Sequence, residues 1–155
     1  MRDDRSERLK ACIDVETICA EVYRALSGLF PEARDFWNGL AIEEDNHAAI
    51  LVIASGYQRA GKLHEGIECP LPLVNKTLGL IKEMREKIKN RNISLKEALE
   101  TSISIEQSLS ESYFMEFMNK ETDSSALIRL QKLLFDNQSH IEKIRKFIKS
   151  MDFYA

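Results

Sequence analysis

At 155 residues the chain has room for one sizeable hydrophobic core and too little for two ordinary domains, so a single unit over 1–155 is expected. Only 6 Gly and 3 Pro set against 44% hydrophobic and 30% charged residues is the balance of amphipathic helix, which excludes disordered and collagen-like chains. A net charge of -3 with a pI near 5.7 offers no basic field to phosphates and disfavours a nucleic-acid partner.

The first predicted helix covers about 4–27, where Leu9, Cys12, Glu16, Cys19, Tyr23 and Leu26 step by three and four along one face, and Gly28 ends it. Pro31 suits an early position in the second, about 31–60, whose face is Trp37, Leu40, Glu44, His47, Leu51 and Ala54; Gly61 closes it. Residues 61–93 change character: Gly61, Gly66, Pro70 and Pro72 precede an amphipathic piece, Val74 to Lys89. They read as a long connection with a short helix of its own. Its Lys76, Lys82, Arg85, Lys87, Lys89 and Arg91 alternate with Glu83 and Glu86, the pattern of a solvated face rather than a phosphate site.

Ser94 and Glu97 form a capping-box pattern opening the third long helix, about 94–119, with the face Leu95, Leu99, Ser102, Glu106, Leu109, Tyr113 and Phe117. Asp123, Ser124 or Ser125 caps the fourth, about 124–150, with the face Leu127, Leu130, Leu134, Asn137, Ile141, Ile144 and Ile148 and with His140 on its flank. Short joints make antiparallel pairs of helices 1 and 2 and of helices 3 and 4, while the 33-residue joint at 61–93 can run the length of a bundle. The expected fold is all-α, an antiparallel four-helix bundle with a long crossover between helices 2 and 3. A weak internal repeat agrees: Glu16 precedes Tyr23, and Glu106 precedes Tyr113, by the same seven residues.

Each apolar stripe is interrupted midway by a polar residue: Glu16, then Glu44 with His47, then Glu106, then Asn137 with His140. A buried carboxylate costs several kcal/mol to desolvate, so three of them at one level of a bundle call for a compensating positive charge. A metal cation supplies it, and glutamate with imidazole suits iron, manganese or zinc. A hydrogen-bonded polar network without metal is the competing reading.

In this pattern the chain resembles the ferritin, bacterioferritin and rubrerythrin superfamily over nearly its whole length, and especially small rubrerythrin-like proteins without a rubredoxin tail. That family places Glu on helix 1, Glu-x-x-His on helix 2, Glu on helix 3 and a second Glu-x-x-His on helix 4, around two irons. Glu16, Glu44-Asp45-Asn46-His47 and Glu106 match the first three parts. The fourth departs: Asn137-Gln138-Ser139-His140 lacks the glutamate, with Asp136 and Glu43 as nearby carboxylates. The resemblance implies a ferritin-like bundle and a di-iron oxidoreductase acting on peroxide or oxygen, with Glu16, Glu44, His47, Glu106 and His140 as ligands. Tyr23 and Tyr113 match tyrosines often found near such a site, where they exchange an electron or bond a ligand carboxylate; as core fillers they need neither role. Pairing into a homodimer is also implied. With no CxxC pair in the chain, electrons would come from a separate donor.

Two other functional classes remain open: an iron-handling protein that holds one ion with little turnover, favoured by the missing glutamate, and a metal-free structural or interaction bundle. Cys12, Cys19 and Cys69 are odd in number, which argues against a disulfide framework and for a reducing compartment. Cys19, one turn beyond Glu16, is either a soft ligand or a small hydrophobe. The charged start MRDDRSER and the absence of ~18 uninterrupted apolar residues point to a cytoplasmic protein off the membrane.

Overall fold

A computed structural model of the chain describes residues 4–61, 71–108, 121–135, 140–151 and 153. The described residues form six α-helices and no strand: α1 (Asp4–Leu29), α2 (Arg34–Arg59), α3 (Leu71–Lys89), α4 (Leu95–Ser108), α5 (Ser125–Phe135) and α6 (His140–Ser150). Among them no helix is long and apolar enough to cross a membrane.

Helix α1 meets no glycine or proline before Gly28 and runs past it to Leu29. The residue preceding a proline is driven out of the helical region, and Phe30, at φ -120° and ψ 82°, turns the chain there. Its N–H still donates to the Leu26 carbonyl at 2.9 Å. A 3-10 turn over Pro31–Ala33 then leads into α2, so the second helix begins at Arg34 rather than at Pro31. Tyr23 stacks on Trp37 at 5.7 Å while Glu16 lies beside His47; partners fall in number along α2 as they rise along α1, which makes the pair antiparallel. Trp37 is fully buried, and the edge of Phe36 meets it at 5.3 Å. Helix α2 ends where Gly61 takes φ +69°, a left-handed conformation that glycine adopts without a Cβ clash.

The crossover helix α3 is not short: it has 19 residues and buries Val74, Thr77, Ile81 and Met84, packing on α1 and α4. Its basic side chains from Lys76 to Lys89, and Arg91 just beyond, are exposed, as a solvated face requires. A hydrogen bond of 2.6 Å between Thr77 and Ser108 near one end, and the Lys87–Glu97 ion pair near the other, run α3 and α4 antiparallel. The capping box at the start of α4 is half formed. The Glu97 N–H donates to Ser94 Oγ at 3.1 Å, but the Glu97 carboxylate turns to Lys87. Ser94→Ala is expected to destabilise the protein by about 1 kcal/mol, read as a lower midpoint in urea at unchanged slope; an unmoved midpoint would show the cap to be idle.

Of the three candidate caps for the next helix, Ser124 acts, its Oγ accepting the Leu127 N–H at 3.4 Å. Helix α5 buries Leu127 and Leu130 and packs on α2, and α6 packs on α4. Helix α6 also lies along α2, where Phe147 stacks on Phe36 at 4.0 Å and Lys143 pairs with Glu43. Its buried face differs from the expected one. His140 is 1% exposed and Ile144 fully buried, whereas Ile141 and Ile148 are only half-buried; the histidine is not on the flank. The cysteine arithmetic also needs correction, because Cys12 is disulfide-bonded while Cys19, among the described residues, is a free, buried thiol. An odd count permits one bridge and one thiol, so parity alone does not exclude a disulfide.

Candidate metal centre

Glu16 on α1, Glu44 and His47 on α2, Glu106 on α4 and His140 on α6 are all buried, the most accessible of them His47 at 7%. Each sits within an apolar stripe, so packing of the neighbouring leucines and aromatics forces the polar side chains inward with them. The i, i+3 spacing sets His47 one turn above Glu44 on one face of α2, and α6 brings the second histidine across from the opposite side.

Glu44, His47 and His140 converge, with one potential ligand atom from each lying within 4.8 Å of the others. His140 Nδ1 is 2.7 Å from Glu44 Oε1 and 3.3 Å from Glu106 Oε2. His47 Nδ1 is 3.8 Å from both Glu44 Oε2 and Glu16 Oε2. The two imidazole rings stack at 5.0 Å. Glu44 therefore touches both histidines, Glu16 borders the cluster through His47, and Glu106 borders it through His140. Tyr23 donates a 2.5 Å hydrogen bond to Glu106 Oε1. Tyr113, Asp136 and Asn137 lie outside the described residues.

Electrostatics in this water-poor space are dominated by burial and by the crowding of like charges. Burial, then the neighbouring Glu44, holds the Glu16 carboxyl well above the usual carboxylate range. Burial alone would lower His47, but the carboxylates of Glu16 and Glu44 outweigh it and push the imidazole up to about 9. His140 is likewise opposed by burial and is raised by Glu106, with Glu43 and Glu44 adding to the effect. The Tyr23 hydroxyl and the Cys19 thiol are driven up by burial and then by surrounding glutamates, so both stay protonated. Cys19 is thus a neutral thiol beside the carboxylates and stands outside the convergent trio.

The donor set fits a divalent cation. Glu16, Glu44 and Glu106 are each buried to 3% exposure or less, three carboxylates gathered around two imidazoles. Crowding three buried carboxylates is costly, and a cation among them offsets that cost directly. Nitrogen and oxygen donors of this kind select iron, manganese or zinc over calcium or magnesium, and atoms within 4.8 Å of one another can draw in around a single ion. Glu43, which sequence position singles out only as a neighbour of Glu44, is placed against His140 Nε2 at 3.0 Å and against Lys143. The signal for Lys143 is its place one turn after His140, which brings both side chains onto the α2-facing side of α6.

No protein-family model, curated protein or solved structure matches the chain. The functional reading therefore rests on the geometry.

Proposed function

We propose that the chain is a rubrerythrin-like, non-haem iron protein of ferritin-like architecture that reduces hydrogen peroxide or oxygen. In this reading α1, α2, α4 and the α5–α6 segment are the four long helices, and α3 belongs to the crossover. The observation that carries it is the convergence of Glu44, His47 and His140, flanked by Glu16 and Glu106 within 3.8 and 3.3 Å of the histidines. Glu44, His47 and His140 would hold the metal, with Glu16 and Glu106 in reach of the same space. Iron bound there supplies the electrons that peroxide or oxygen takes up, on reduction by a separate donor. The protein's own part is to exclude water with the surrounding apolar side chains, to keep Glu106 oriented through the Tyr23 hydroxyl, and to neutralise the ion with carboxylates. Exposed Ile42, Val52 and Ile53 along the outside of α2 support pairing of two copies.

A second reading, a single-ion binding protein with little turnover, is favoured by the trio itself, which surrounds one position, and by Asn137 standing where a fourth carboxylate would be. Metal analysis of protein purified without chelator and then loaded anaerobically with Fe(II), with spectra before and after peroxide, separates the two. About two irons per chain and a peroxide-sensitive oxo-bridged absorption are expected for the redox protein. One ion, spectrally unresponsive, would favour the binding protein. No uptake even on loading would defeat both.

A further inference from the structure

The geometry points to Glu43 as a positioning residue, an outer carboxylate that holds His140 in the orientation needed to bind the metal through Nδ1. The inference rests on the metal reading above. His140 presents its two ring nitrogens to different surroundings. Nδ1 faces inward, 2.7 Å from Glu44 Oε1 and 3.3 Å from Glu106 Oε2, among the other candidate ligands. Nε2 faces the opposite way and meets Glu43 Oε2 at 3.0 Å. When Nδ1 gives its lone pair to an ion, the remaining proton must sit on Nε2, and a carboxylate at that nitrogen fixes both the tautomer and the ring plane while making the imidazole more basic.

Glu43 is itself anchored. Its Oε1 pairs with Lys143, one turn after His140 on α6, so the histidine and the lysine grip the two oxygens of one α2 side chain. Its Oε2 lies 3.0 Å from His140 Nε2, within reach of the Nε2–H proton. Glu43 and Lys143 also form part of the wall of an open groove of about 480 Å³ between α2 and α6, with Phe36, Leu40 and Phe147. The carboxylate thus stands between solvent and the buried ring, on the side away from Glu44 and Glu106.

Cobalt(II) titration of the metal-free full-length protein, followed by its visible d–d absorption, tests this without relying on turnover. Glu43→Ala is expected to weaken Co²⁺ binding by roughly 10- to 100-fold, to shift the band and to leave the number of ions per chain unchanged. Glu43→Gln keeps the shape and a carbonyl acceptor for Nε2–H; it should fold and recover most of the affinity and the native band, which a merely structural loss would not allow. Lys143→Met, which frees Glu43 from its anchor, should weaken binding by less than Glu43→Ala. Wild-type affinity and spectrum in Glu43→Ala, beside normal Co²⁺ binding by the parent protein, would overturn the positioning role and leave the metal reading standing. A lost equivalent of metal would overturn it too, by making Glu43 a ligand. Failure of the parent protein to bind Co²⁺ would defeat the metal reading and this inference with it.

Discussion

Binding of a divalent ion to the metal-free protein at pH 7 is expected to release about two to three protons and to raise the thermal midpoint by several degrees. The metal-free cluster is proton-rich. The Glu16 carboxyl is raised by burial and by Glu44, and His47 is lifted to about 9 by Glu16 and Glu44 against the pull of burial; His140 is raised by Glu106 in the same way. Ligation requires neutral imidazoles and ionised carboxylates, so these protons must leave as the ion enters. Affinity should therefore climb with pH up to about 9, the value to which His47 is raised, by up to tenfold per pH unit for each proton released. The metal-free protein should respond oppositely. A histidine raised in the folded state contributes stability that is complete below its ordinary value of 6.5 and is lost as pH rises through about 9. Calorimetric titration with Zn²⁺ in buffers of different ionisation enthalpy counts the protons directly, and Glu44→Ala should abolish both the heat and the shift in midpoint. A pH-independent affinity, or an unchanged midpoint with saturating metal, would contradict the assignment of these residues to a metal site.

Helices α1 and α2 were readable because their stripes are nearly pure. Every residue from Leu9 to Leu26 and from Trp37 to Ala54 in the two expected faces is buried, the result of three-and-four spacing with no proline or glycine on the face. The error on α6 has a physical origin. Hydrophobic periodicity assigns the inner face to isoleucines, yet His140 occupies it because Glu43, Glu44 and Glu106 compensate its burial from two other helices. That compensation is a tertiary fact, invisible in the spacing of α6 alone. The same limit applies to Glu43: on α2 it is only the neighbour of a face residue, and its role appears once α6 is laid alongside. In the crossover, turn residues announced a connection, but the apolar Val74, Ile81 and Met84 marked a face that α1 and α4 bury, which made the helix longer and more integral than its punctuation suggested. The half-formed cap at Ser94 has a similar cause, since Lys87 reaches Glu97 only after α3 folds back on α4.

Replacing Glu16 by Gln is expected to move the two forms of the protein in opposite directions. In the metal-free protein above pH 4.5 a raised carboxyl is a cost, because the unfolded chain ionises freely there while burial and Glu44 oppose ionisation in the folded chain. A carboxyl raised in the folded state favours folding only below its unfolded value, and that advantage is lost as pH rises above it. Glutamine has the same shape and no proton to hold, and His47 keeps Glu44 as a partner at 3.8 Å. The chelator-treated variant should therefore be more stable than the parent by on the order of 1–2 kcal/mol, equivalent to roughly 2–8 °C in Tm, with the difference vanishing below about pH 4. The metal-loaded variant should be less stable than the metal-loaded parent, since a neutral amide offers the ion one weak oxygen in place of a charged ligand. Such a crossing of the two Tm values is a signature of a residue kept for binding at the expense of the empty fold. Loss of stability in both forms would instead make Glu16 the structural counter-ion of His47, and would remove it from the set of groups in reach of the metal.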